Sequence, residues 1–258
     1  MDPLKKYRRQ YRTWRNDRRL QKEQSYYDDL FAVRGLAVPK EEELRAACRR
    51  LFPTLAPKPT GSLRILAVYH DYNWEETALK PALGKFGTVF HFDWFRGAGA
   101  ARGEWHRSGR GEMNRELLAY TRNMIRQGGL DVIFAYLSGE QVTTAAMAAI
   151  AALGVPTVNL ALNDKENFVG KIRGSQAMGV RDICRHFTLC WTSTEDALKK
   201  YVVEGARPVY LPEGANPELH HPQETEKTID VSFVGQCYGQ RPEIVARLKA
   251  AGVNVVAY

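Results

Sequence analysis

The sequence lacks the long hydrophobic runs that would take it into or across a membrane. Its longest apolar stretch, Ala145 to Val155, is rich in alanine and broken by Gly154, well short of the roughly 18 to 20 residues that a spanning helix needs. The start, Met1-Asp2-Pro3 followed by lysines and arginines, carries no apolar h-region of a secretory signal, so the cytoplasm is the expected compartment. Cysteine is scarce: Cys48, Cys184, Cys190 and Cys237 have no regular spacing and read as core thiols rather than a disulfide framework. Cys184, His186 and Cys190 bear ligand-type atoms, but Cys190 lies in an apolar strand with no fourth ligand near in sequence, and the adjacent His220 and His221 point in different directions. No metal site is expected. A Walker motif, a GxSxG elbow and an HExxH pair are absent too. What remains, 44% hydrophobic and 26% charged over 258 residues, is the composition of a globular protein with ample material for a core.

Acidic residues are rare in one place. Residues 1–22 hold nine basic side chains against Asp2 and Asp17, a net of +7 out of +8 for the chain. The remainder is close to neutral, which argues against a nucleic-acid-binding fold with a basic face built into the domain. Leu4, Tyr7, Tyr11 and Trp14 recur at spacings of three and four, so a helix here has an aromatic stripe flanked by arginine. Four readings are open for this arm: a surface helix on anionic lipid, a helix packed on a partner or on the body, a solvated arm, or a non-specific nucleic-acid tail.

After Pro39, the run Lys40 to Phe52 has acids first and bases last, as a helix dipole favours, and its apolar face is Leu44, Ala47, Cys48, Leu51 and Phe52. The proline-rich stretch 53–61 reads as a linker between an N-terminal appendage, 1–60, and a main domain, 61–217. From Leu63 onward, short β-branched or aromatic runs alternate with helical stretches. Strands are expected at 63–69, 88–94, 130–137, 157–162, 187–192 and 209–211. Helices are expected at 74–84, 112–127, 139–153, 166–178 and 195–203, with Ser138–Gln141 and Thr192–Glu195 as capping boxes. Such alternation implies an α/β fold, a Rossmann-like, doubly wound parallel sheet with helices on both faces. A polar linker, 218–228, precedes a strand at 229–234, a helix at 241–251 and a strand at 253–257. This reads as the first βαβ of a second Rossmann-like domain, truncated at its far end.

Ligands of open α/β sheets bind beyond the carboxyl ends of the strands, so the residues just after each strand are the candidates. They are His70, Asp71, Tyr72, Asn73, Trp74 and Glu75; then Ser138, Gly139 and Glu140; then Asn163 and Asp164. His70 with Asp71 as its orienting partner, or Glu140 or Asp164, would supply a general base for a sugar hydroxyl; each is also an ordinary turn or cap residue type. Gly235, Gly239 and Arg241 lie between a strand and a helix, where an anion is favoured, though a tight turn with an exposed arginine has the same pattern. The segment Phe95 to Gly111, with five glycines and four arginines, is either a lid over an anionic or carbohydrate ligand or a solvated excursion.

The runs Pro156 to Asp164, Phe187 to Ser193, Gly205 to Pro217 and Asp230 to Gly235, continuing to Arg241, resemble GT-B glycosyltransferases, in particular the spore-maturation CgeB-like group. The resemblance covers roughly residues 62–258. It implies an acceptor-side N-terminal domain and a C-terminal domain that binds a nucleotide-sugar donor, with no other cofactor. The acceptor would be an envelope or cell-surface glycan, lipid or protein. Leu211 to Pro217, with Glu213 and Gly214, matches the start of the interdomain crossing, and Gly235 with Tyr238 and Arg241 matches the approach to the donor diphosphate. Much of a donor domain has no counterpart here, so an incomplete or inactive enzyme is one expectation. A non-catalytic ligand-binding module docked through the basic helix is the alternative.

Overall fold

A computed structural model describes residues 3–95, 104–236 and 239–257. The chain divides into two compact units, residues 1–214 and 215–258.

In the first unit, α1 (Pro3–Val33) is one uninterrupted helix of 31 residues. Proline stands at its first position, where no N–H is needed, and nothing breaks it until Gly35, whose φ of 59° closes the C-terminus. The stretch expected as an appendage is attached through its second half. Tyr27 is buried, its hydroxyl donates to Glu204 Oε1 at 2.7 Å, and Leu30 and Phe31 pack on the main core. Lys200, itself 2% exposed, pairs with Glu23 at 2.9 Å. Helix α2 (Glu41–Leu51) starts where the Lys40 N–H donates to Glu43 at 2.7 Å.

The sheet follows: β1 (Leu63–Val68), β2 (Gly87–Phe92), β3 (Val132–Ala135), β4 (Thr157–Ala161), β7 (Leu189–Thr192) and β8 (Pro208–Tyr210), with a two-stranded hairpin, β5 (Ile172–Arg173) and β6 (Gln176–Ala177), between β4 and β7. The six sheet strands run parallel in the order β2-β1-β3-β4-β7-β8. Alternation splits their side chains between two cores. Leu66, Val68, Ile133 and Cys190 face the larger one with Leu117, Met147 and Tyr201, and Ile65, Ala67, Tyr69 and Phe134 face the smaller one with Leu79. The architecture is the expected Rossmann-like α/β sheet. The helices are α3 (Lys80–Gly84, preceded by a π turn at Glu75–Leu79), α4 (Arg110–Arg126), α5 (Thr144–Ala151), α6 (Asp164–Asn167) and α7 (Leu198–Val203).

Several expected elements differ. No helix spans 166–178: one turn, α6, is followed by the β5–β6 hairpin, because Gly170 and Gly174 have φ of 65° and 60° and Gly179 lies against the Asn167 carbonyl, which a Cβ would meet at 2.0 Å. Helix α5 starts at Thr144, not Gly139, with Thr143 Oγ1 accepting from Ala146 N at 3.1 Å. Ser138 and Gln141 do bond to each other, at 2.8 Å, but they close a turn. The Thr192 hydroxyl likewise bonds to Thr194 rather than capping a helix, and α7 begins at Leu198 after a single 3-10 turn. The second half of the glycine-rich segment is helical, with a π turn at Trp105–Gly109 running into α4; residues 96–103, the rest of the expected lid, lie outside the described residues.

The second unit has β9 (Val231–Phe233) and β10 (Val255–Ala257), paired in parallel and connected by α8 (Arg241–Ala250), one βαβ element.

Candidate functional site

From β1 the chain leaves to β2 on one side and then crosses to β3 on the other, so the connections diverge at the β1/β3 boundary, where a doubly wound sheet opens a crevice. A cleft of about 520 Å³ lies beyond these strand ends. Tyr72 follows β1 and Trp94 follows β2. Tyr136, Ser138 and Glu140 follow β3, and Asn163 and Asp164 follow β4. Asn167, Lys171 and Val180, from the segment between β4 and β7, complete it.

The wall after β3 is held by a set of polar contacts. On β4, the Asn159 amide brackets Leu137, accepting from its N–H at 3.1 Å and donating to its carbonyl at 3.0 Å. On α4, Asn114 donates to the Gln141 carbonyl and accepts from the Thr143 N–H, both at 2.8 Å. Arg110 donates to the Gly139 carbonyl at 2.7 Å, and the Trp105 indole donates to the Glu140 carbonyl at 2.9 Å. Gly139 itself lies so close to β6 that a Cβ would sit 2.0 Å from the Ala177 carbonyl oxygen. Ser138 and Glu140 are therefore presented by a backbone with little freedom to move. Glu140 Oε1 is 3.1 Å from His106 Nε2.

Asp164 lines the same cleft and is 2% exposed. The Tyr201 hydroxyl donates to its Oδ2 at 2.8 Å, while Oδ1 has no hydrogen-bond partner among the described residues. The Thr192 hydroxyl lies beside the carboxylate, but its proton is directed to the Thr194 carbonyl at 3.2 Å. Burial raises the Asp164 carboxyl above the ordinary aspartate range, and the neighbouring hydroxyls and N–H groups offset this only in part.

His70 has a partner other than the one expected. Its Nδ1 is 3.0 Å from Asp93 Oδ1, whereas Asp71 is exposed and accepts from the Glu76 N–H, at 3.4 Å. Asp93 follows β2, which stops at Phe92, and because β1 and β2 are parallel neighbours their ends bring the two side chains together. The His70 ring packs at 4.8 Å from Tyr72 and 5.5 Å from Trp94, beside two of the lining rings, and its side chain keeps 23% exposure. Its Nε2 has no protein partner among the described residues. Glu75 organises the turn in front: 1% exposed, its Oε2 accepts from the N–H groups of Tyr72, Asn73 and Trp74 at 2.9 to 3.1 Å. Burial alone would raise its carboxyl, but these N–H groups outweigh it and hold it below the ordinary glutamate range.

Of the other candidates, Asn73 is exposed and serves this turn through its backbone, and Trp74 is half-buried, 6.4 Å from Tyr136. Glu213 accepts from the Ser193 hydroxyl at 3.2 Å, and Gly214 ends the first unit. Ser138, Glu140, Asn163 and Asp164 thus come together in the cleft, and His70 packs against two of its rings, Tyr72 and Trp94. In the second unit, Arg241 turns back on its own loop, donating to the Gln236 carbonyl at 3.1 Å with its guanidinium 5.6 Å from the Phe233 ring centre, and Gly235 has a φ of 147°. Tyr238 lies outside the described residues.

Asp93 and Tyr201 were not among the sequence candidates. Asp93 has a signal, an acid at the carboxyl end of the second strand, hidden by extending that strand to Trp94. Tyr201 has none, lying in an ordinary helical run.

No family model, curated protein or solved structure matches the chain. Among the described residues no helix is long and apolar enough to cross a membrane. The Cys184 and Cys190 thiols are buried and donate to the carbonyls of Arg181 and Cys184.

Proposed function

We propose that the first unit is the acceptor-binding part of a glycosyltransferase, with the cleft holding a sugar or similarly hydroxylated acceptor and the βαβ element beginning a domain for the nucleotide-sugar donor. The observation that carries this reading is the His70–Asp93 pair packed against the aromatic wall of a cleft that also presents amides, a hydroxyl, carboxylates and Lys171 among aliphatic side chains. Aromatic faces with a few convergent polar groups suit a ring that is apolar on its faces and hydroxylated at its edges. Asp93 holds the imidazole with Nδ1–H as donor, which leaves the Nε2 lone pair as base. As the acceptor oxygen bonds to the anomeric carbon, Nε2 takes the hydroxyl proton, the bond from that carbon to the donor phosphate breaks, and the nucleoside diphosphate leaves with the electron pair. Asp93 then stabilises the imidazolium.

Acceptor-dependent release of nucleoside diphosphate, measured over a panel of nucleotide sugars, tests this. Release that vanishes in His70→Ala supports it. Acceptor binding without turnover in a form that carries a complete donor domain supports the non-catalytic module instead.

A further inference from the structure

The first half of α1 carries a surface that nothing in the cleft accounts for. Tyr7, Tyr11 and Trp14 are 69%, 52% and 52% exposed, large values for three aromatic side chains on one helix. A helix turns about 100° per residue, so these three fall within about 60° of arc; the Tyr11 and Trp14 rings are 5.9 Å apart. On the same helix Tyr27 is buried against the body, and it lies about 200° around the axis from Tyr7. The aromatic stripe therefore faces away from the side on which the body packs. Arg15 and Arg8 lie about 80° and 100° around the axis from Tyr7 and Arg12 about 140°, all exposed, and the Arg18 guanidinium lies 4.9 Å from the Trp14 ring centre.

We propose that this face docks the protein on an anionic lipid surface. The helix lies flat, its tyrosine and tryptophan rings sit at the headgroup level, the flanking arginines meet phosphate, and the body is held on the side away from the bilayer. Charge complementarity points to that occupant, because almost the whole net charge of the chain, +7 of +8, is concentrated in residues 1–22. The leading face combines three exposed aromatic rings with Arg18 over one of them, the mixture that suits a headgroup layer rather than a phosphate backbone alone.

The test is co-sedimentation of the full chain with phosphatidylcholine vesicles, with and without about one third phosphatidylglycerol. Expected is salt-sensitive binding to the anionic vesicles only. It falls on the order of 100-fold in Arg8→Gln/Arg12→Gln/Arg15→Gln and at least about tenfold in Tyr7→Ser/Tyr11→Ser/Trp14→Ser. Circular dichroism and thermal unfolding of both variants match the wild type, because the replaced side chains are exposed. Equal binding to neutral vesicles, no vesicle binding, or a ring variant that binds like the wild type overturns the proposal. So does a stripe that serves only to pair two copies of the chain or to hold duplex DNA, seen as ring-dependent dimerisation or DNA binding without vesicle binding.

Discussion

His70 and Asp93 leave adjacent parallel strands and meet at 3.0 Å, although 23 positions separate them in the chain. The contact depends on the register of β1 and β2, which pairs Val68 with Phe92 and so brings both strand ends to the same level. Asp93→Asn keeps the size of the side chain while removing the charge that stabilises an imidazolium. Under the proposed function, sugar transfer is expected to fall by about 100-fold or more with acceptor binding unchanged, measured as diphosphate release beside a calorimetric titration. Equal losses in rate and binding would assign Asp93 to binding.

Asp164 and Glu75 are both buried carboxylates, and they respond to pH in opposite directions. The Asp164 carboxyl is raised on folding, so its stability contribution is fully present below the ordinary aspartate range and is lost as pH rises through the folded value. Asp164→Asn is therefore expected to gain thermal stability relative to wild type at pH 8 and not at pH 4. Tyr201→Phe removes the donor to Oδ2 and costs about 1–3 kcal/mol at pH 8.

The Glu75 carboxyl is lowered on folding, so its contribution is present above the ordinary glutamate range and is lost as pH falls through the folded value. Glu75→Gln is expected to cost about 1.5–3 kcal/mol at neutral pH, because its oxygen accepts from three N–H groups as a charge. The difference from wild type shrinks in denaturant titrations run at progressively lower pH.

Much of the sheet was legible because alternation is a local signal: Ile65, Ala67 and Tyr69 against Leu66 and Val68 mark a strand buried on both faces within seven residues. The segment after β4 was not. Gly179 touches the carbonyl of Asn167, twelve positions earlier, and such a contact overrides the helical periodicity of 166–178. The cleft was legible as a set of strand ends, so Ser138, Glu140, Asn163 and Asp164 were found together. Asp93 was missed as the partner of His70 because sequence adjacency favoured Asp71, whereas strand register decides the pairing. The docking of α1 was hidden for a similar reason, since Tyr27 looks like one more tyrosine in a charged helix until Glu204 and Phe168 are beside it.

Glycine positions give a further check on the cleft wall. Gly139→Ala forces a Cβ against the Ala177 carbonyl and is expected to cost at least about 1–3 kcal/mol while weakening acceptor binding. Gly84→Ala, at a helical position with open space around it, is expected to stabilise by about 0.4–1 kcal/mol and leave binding unchanged. Urea unfolding and ligand titration of the pair separate the effect on the site from a general effect on the fold.

The most direct measurement is calorimetric titration of the protein with a set of oligosaccharides, repeated on Tyr72→Ala. Tyr72 lines the cleft yet is 63% exposed, so its loss leaves the core intact. Expected is saturable binding of at least one oligosaccharide, weakened about tenfold in the variant as a stacking face is removed. No saturable binding to any of them, or binding that Tyr72→Ala leaves untouched, would contradict the assignment of the cleft as a sugar-acceptor site.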